Sequence, residues 1–388
     1  MERFLSIFEH LYVSYGIAGV ILMAVATATF VIQFYCWAVR YGRIPAYRGA
    51  SAPTENPKPS ISAVMICRGN DSDFLEHRLP AMLGQEYENF EIIVADLTGD
   101  ADFDAALTLI ADNNPRFKFV HIVRDNRFPI SDKMALNMAI KAATYDNILL
   151  TVPDAIPNSP QWLARMARGF ATGDIVIGYC GMADGRTFAD KLIRIDNIGQ
   201  TIRWLGAAVN KHPYRGTIQN LGFSKKLYFD NGGFNYLNMN IGIEDLFLQK
   251  IIPQATVSIV VSPKSIVRQK IWGGIKWWYT LRRLKSFSFR HYPRRVKLST
   301  RTELTSRLLF FGTAAALLSC ASAEIKIYAG IMLLMRYAIV MFEMHRIAKR
   351  LGEKGLWFAA TIYDLLAPLY EMCLSADRLF RHSPSLWR

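Results

Sequence analysis

Residues 89–96 read Asn89-Phe90-Glu91-Ile92-Ile93-Val94-Ala95-Asp96, a short apolar run closed by a carboxylate. It is too short for an ordinary helix and rich in β-branched side chains, which favours a strand. Upstream, Ile61–Cys67 has the same character, and residues 74–83 between the two carry helical spacing. Downstream the pattern continues with a helix over 103–111, a strand over 118–123, a helix over 133–143 and a strand over 147–152. Strands separated by helices in this rhythm predict βαβ units, and so an α/β domain with a mainly parallel central sheet. Ligands of such sheets bind beyond the carboxyl ends of the strands. The candidates are therefore Arg68, Gly69, Asn70 and Asp71 after the first strand, Asp96 after the second and Asp154 after the fourth. A carboxylate there can accept from a base or ribose, or hold a divalent cation that bridges phosphates.

Working outward, half of the 388 residues are hydrophobic, and these collect at the two ends of the chain. Residues 15–39 form an uncharged run long enough to cross a hydrocarbon core of about 30 Å. Arg40, Arg43 and Arg48 follow it, which places the next domain in the cytoplasm. The acidic start and the length of the run argue for a retained helix rather than a cleaved signal. Residues 308–321 and 325–344 predict a helical hairpin whose basic flanks return to the same side. Residues 356–374, which contain Asp364 and Glu371, either cross or lie along the interface. The expected organisation is a tail (1–14), a transmembrane helix (15–39), a linker (40–59) and the α/β domain (60–262). An interfacial segment (263–303), a transmembrane hairpin (304–344) and a basic loop with a third apolar helix (345–388) complete it.

The net charge of +14 is local. Twelve Lys and Arg residues and no carboxylate lie between Lys264 and Arg301, interleaved with Trp272, Trp277, Trp278 and Tyr279. Basic and aromatic residues mixed in this way, directly before an apolar segment, indicate membrane lipids as the partner and not nucleic acid. The five cysteines have no metal-ligand spacing and read as free thiols.

Over about residues 59–249 the sequence resembles family 2 of the inverting glycosyltransferases, which have the nucleotide-diphospho-sugar (GT-A) fold. The resemblance rests on Ser62 to Asp71, on the strand closed by Asp96, and on the helix that opens with Lys133-Met134-Ala135-Leu136-Asn137. It continues through Leu149-Leu150-Thr151-Val152-Pro153-Asp154, then Asn220-Leu221-Gly222-Phe223-Ser224-Lys225-Lys226, then Gly232-Gly233-Phe234 and Glu244-Asp245. It implies an enzyme that moves a sugar from a nucleotide-diphospho-sugar to a membrane-associated acceptor, such as a lipid-linked saccharide or surface polysaccharide precursor. The membrane would be a bacterial inner membrane, with the catalytic domain cytoplasmic.

By the same resemblance Asp154 holds a divalent metal, Mg2+ or Mn2+, and Asp245 is the general base with Glu244 beside it. Arg68, Asn70, Asp71, Asp96 and Lys133 face the donor nucleotide, while Asn220, Lys276 and Trp277 lie on the acceptor side. Two departures matter. The family's paired acids would fall at 152 and 154, but this chain has Val152, which cannot ligate a metal. The QxxRW of processive synthases is also absent from 273–277, which favours addition of one or a few sugars. The missing acid motivates an alternative: a degenerate domain retained as a nucleotide-binding or scaffolding subunit of a polysaccharide assembly complex.

Overall fold

The computed structural model describes residues 2–49, 58–69, 72–122, 131–234, 242–320 and 322–380. Its centre is a seven-stranded sheet in the order β3-β2-β1-β4-β8-β6-β9. The strands are β1 (Ile61–Cys67), β2 (Phe90–Asp96), β3 (Phe117–His121), β4 (Asn147–Leu150), β6 (Ile175–Gly178), β8 (Leu221–Ser224) and β9 (Val257–Val260). β1 to β4 pair in parallel, with Ile61 opposite both Phe90 and Asn147. β8 runs against both neighbours, with Leu150 opposite Leu221 on one side and Val176 opposite Gly222 on the other. The sheet is thus mixed, which corrects the expectation of a mainly parallel one. The strand–helix alternation read along residues 61–152 covers only the parallel half.

Side chains alternate across this sheet as a pleated strand requires. Val64, Ile93, Ile148 and Leu150 pack into one core, and Ala63, Met65, Ile92, Val94 and Leu149 into the other. The first core also contains Trp37, Tyr41 and Ile44 from the N-terminal helical stretch and Val340, Met344 and Ile347 from a C-terminal helix. Apolar side chains from both ends of the chain therefore cover one face of the sheet.

A second sheet has the order β5-β10-β7, with β5 (Ala155–Pro157), β7 (Cys180–Met182) and β10 (Val267–Gln269). β10 is antiparallel to β5 and parallel to β7, and Gln269 stands opposite Ala155. That register carries the chain after Gln269 back to the residue that precedes β5, Asp154.

Helices Glu2–Phe34, Arg294–Cys320, Ala323–Arg350 and Trp357–Phe380 pack on one another beside the sheets. The first is broken at Gly16, whose φ of 67° is a left-handed conformation that suits glycine. Among the described residues, Gly16–Ala46 and Ala323–Arg350 are long and apolar enough to cross a membrane, by length and composition. Helix Arg294–Cys320 runs across the position 303/304 at which the sequence suggested a division.

Buried ion pairs tie these helices together and to the sheet domain. Asp364 binds Arg307 (3.1 Å) and Arg336 (2.5 Å). Glu371 binds Arg203 (3.0 Å) of helix Phe188–Val209 and Arg282 (2.7 Å), which also reaches Asp196 (2.8 Å). Glu353 accepts from Tyr179 (2.8 Å) and pairs with Arg194 (3.0 Å) and Arg268. The two carboxylates of the last apolar stretch thus have basic partners inside the protein.

Candidate active site

A cleft of about 710 Å3 opens beyond the carboxyl ends of β1 and β4, where the sheet order reverses. Arg68 and Gly69 border it from β1, residues 151–154 from β4, and Asp132 from the start of helix Asp132–Ala142. Glu244, Gln269, Trp272 and Lys285 complete its wall. Arg68 forms an ion pair with Asp132 across the mouth.

The Asp154 carboxylate is held by two neutral donors. Gln269 Nε2 donates to Oδ2 at 2.9 Å, and Trp272 Nε1 donates to the same oxygen at 2.8 Å. The chain that supports them is itself braced, since Gln219 Nε2 donates to Gln269 Oε1 at 3.0 Å. Among the described residues the other oxygen, Oδ1, accepts no hydrogen bond.

Opposite, Gly242 at φ 71° turns the chain into helix Ile243–Ile251, whose first turn carries Glu244 and Asp245. Both are buried. Glu244 lines the cleft. Asp245 Oδ2 accepts from the Tyr292 hydroxyl at 2.6 Å and lies 3.3 Å from Arg215 Nε, while its Oδ1 is buried without a partner among the described residues. Burial raises the pKa of both carboxyls, and at Glu244 the neighbouring Asp245 adds to the rise. Arg215 and the Tyr292 hydroxyl offset part of it at Asp245. Lys285 faces the pair, and burial pushes its ammonium below the ordinary lysine value.

Behind this pair lies a second chamber of about 620 Å3. Arg215 and Tyr292, the partners of Asp245, belong to its wall, and Lys285 borders both spaces. Glu244 thus faces the cleft, while Asp245 lines neither space and touches the chamber wall through Arg215 and Tyr292.

Of the residues expected from the sequence, Arg68, Asp154 and Glu244 come together at the cleft. Asn70 and Asp71 lie outside the described residues. Asp96 and Lys133 are not among the residues that line the cleft. Asp96 sits at the end of β2, one strand removed, where Oδ1 accepts from the Thr98 amide (2.8 Å) and hydroxyl (2.7 Å). Asn220 is fully buried: its amide donates to Tyr179 O and Ser265 O, both at 2.9 Å, and its oxygen accepts from Trp162 Nε1 at 3.1 Å. Every polar atom of its side chain is engaged within the protein, where it holds three segments together. Lys276 is exposed and Trp277 packs with Trp278, and neither lines the cleft or the chamber.

Gln269, Trp272 and Lys285 escaped the reading of the sequence because all three fall in or beside the basic aromatic segment assigned to the membrane interface. Trp278, Arg282 and Lys285 recur at helical spacing and mark an inward face of helix Ile275–Ser286. That periodicity was the available signal.

The residues present fit a divalent metal at the cleft. Hard divalent cations commonly take one or two carboxylates and complete their shell with substrate phosphates, and Asp154 offers one oriented carboxylate on the cleft wall. A second group able to hold a metal ion is Asp96, Asp104 and His121, whose donor atoms lie within 4.8 Å of one another. His121 Nδ1 and Asp104 Oδ1 are 2.8 Å apart.

No model of a known protein family matches this sequence, and no curated protein matches it. Solved structures do. A mannosyltransferase from Pyrobaculum calidifontis, PcManGT, solved with GDP-Man and Mn2+, superposes with a TM-score of 0.56 at 16% identity, over 92% of this chain and 99% of that one. The likeness is one of fold. Residues 1–349 of TarS from S. aureus match with a TM-score of 0.41 at 13% identity, over 84% of this chain and 94% of that one. The same TarS fragment in complex with UDP-GlcNAc matches at 14% identity with the same TM-score.

Proposed function

We propose that the protein is a membrane-associated, metal-dependent glycosyltransferase of the inverting, GT-A type. It would move a sugar from a nucleotide-diphospho-sugar to a membrane-borne acceptor, such as a lipid-linked saccharide. The observation that carries this reading is the meeting across one cleft of Asp154, fixed by Gln269 and Trp272, with Glu244, the chain neighbour of the buried Asp245. A divalent cation bound at Asp154 would neutralise charge on the departing nucleoside diphosphate. Asp245 is the base: Oδ2 is held by Tyr292 and Arg215, and Oδ1 is left to accept the proton of the acceptor hydroxyl. The acceptor oxygen bonds the anomeric carbon as the bond to the diphosphate breaks on the opposite face. Glu244, on the cleft wall, would accept from hydroxyls of the donor sugar. The two long apolar helices support anchoring of this domain to a bilayer.

The experiment is sugar transfer and donor hydrolysis by the full chain in detergent, with Mn2+ or Mg2+ and a panel of GDP- and UDP-sugars. GDP-mannose with Mn2+ comes first, because the mannosyltransferase of like fold was solved with that pair. Equal rates for wild type and Asp245→Asn on every donor would overturn the assignment. Val152 on the cleft wall favours one other reading, a nucleotide-binding scaffold, which predicts donor binding without turnover.

A further inference from the structure

The chamber behind the Glu244–Asp245 turn is strongly basic, and its charge is only partly matched. Arg203, Arg215 and Arg282 line it, and their charges meet Glu303, Glu371, Asp245 and Asp196. Lys285, Arg290, Lys297 and Arg301 line it as well. None of these four makes an ion pair among the described residues, and the Lys297 ammonium donates only to the backbone oxygen of Arg290, at 2.6 Å. Glu371, the one carboxylate on the wall among the described residues, is already shared by Arg203 and Arg282. Cations gathered around a space of this size repel one another, and a bound anion relieves them. Guanidinium forks and ammonium groups together suit phosphate oxygens.

The position of the chamber adds the second half of the ligand. Thr300, Arg301 and Leu304 reach it from helix Arg294–Cys320, and Leu374 and Ser375 from helix Trp357–Phe380. Those two helices expose Leu298, Leu309, Leu365, Leu366, Leu369 and Met372, apolar surface that a soluble anion would not use. We infer that the chamber binds the phosphate or diphosphate headgroup of the acceptor lipid, whose hydrocarbon chain leaves along these helices. This rests on the transfer reading proposed above. It places the donor and the acceptor on opposite sides of the Glu244–Asp245 turn, with Lys285 touching both.

The test uses the full chain in nanodiscs of phosphatidylcholine and three probes: hexadecyl phosphate, hexadecanol and inorganic phosphate. The expected result is saturable binding of hexadecyl phosphate, at least about tenfold tighter than either of the others, because headgroup and chain both contribute. The triple variant Arg290→Gln, Lys297→Gln, Arg301→Gln should lose that preference, while Lys297→Arg with Arg301→Lys, which keeps the charge, should retain it. Equal binding of hexadecyl phosphate and hexadecanol, or equal binding by the wild type and the triple variant, overturns the headgroup site. Inorganic phosphate binding as tightly as hexadecyl phosphate overturns the lipid as occupant. Metal-dependent binding of GDP-mannose and UDP-sugars is measured on the same sample. Its absence alongside selective binding of hexadecyl phosphate would sink the transfer reading and leave the headgroup site standing.

Discussion

Trp272 donates its indole N–H to Asp154 Oδ2 at 2.8 Å, beside the amide of Gln269 at 2.9 Å. Two uncharged donors thus orient the carboxylate without competing for a cation, and Lys270 caps the Trp272 ring at 4.3 Å. Trp272→Phe keeps the ring and removes the donor. A hydrogen bond to a charged acceptor contributes about 1.5–3 kcal/mol, so metal-dependent binding of a nucleoside diphosphate should weaken by about tenfold or more. Calorimetry with Mn2+ and GDP measures this, and unchanged affinity would show that Trp272 does not position Asp154.

Burial raises the pKa of both Glu244 and Asp245, and in the proposed transfer the base must be ionised to act, so the rate should fall as pH drops through the raised pKa of the pair. The acid limb of kcat/KM should therefore lie above the ordinary carboxylate value of about 4. Tyr292→Phe removes a donor that stabilises the ionised form of Asp245, so the limb should move to still higher pH. A pH–rate series on both proteins checks the direction; a limb that stays in place takes Asp245 out of the base role.

Asn220 bears on stability. Asn220→Ala strands the buried Trp162 N–H and the Ser265 carbonyl, each costing about 1–3 kcal/mol, and leaves the Tyr179 carbonyl with only the Val267 N–H at 3.4 Å. The midpoint of thermal unfolding in detergent should fall clearly, while the protein that remains folded binds donor with wild-type affinity. A variant that melts like wild type but loses transfer would return Asn220 to the acceptor side.

Within the helical assembly, Asp364→Asn removes the counter-charge of Arg336 and one of the two carboxylates beside Arg307, which keeps Glu303. Breaking a buried pair from one side costs about 3–5 kcal/mol, because the remaining charge is left uncompensated. Reduced yield and a lower unfolding midpoint in detergent are expected. An unchanged midpoint would mean that the last helix docks by its apolar contacts alone.

The parallel half of the sheet was legible because its strands alternate with helices of clear period, from Ile61 to Leu150. β6, β8 and β9 were not, being four-residue strands outside that rhythm, so the antiparallel course of β8 went unseen. The rule that polar residues follow strand ends found Arg68 and Asp154 because β1 and β4 border the reversal of strand order. It also named Asp96, which does not line the cleft: β2 lies one strand away, and the rule does not say which ends share a crevice. Around Trp272 and Lys285 composition alone did not reveal the cleft wall: a basic aromatic stretch looks the same whether it meets lipid headgroups or a folded carboxylate.

Glu353, between the last two helices, grips Arg194, Arg268 and Tyr179, and Arg268 is the chain neighbour of Gln269, which holds Asp154. Glu371 does the same for Arg203 and Arg282. A sheet domain released by cutting the chain after β10 would carry Arg203 and Arg268 bare, with their former counter-charges Glu303, Glu371 and Glu353 discarded on the stalk. The sheet domain is thus no detachable cargo: its correct shape is completed by what tethers it, and solubilising it by truncation removes part of the machine.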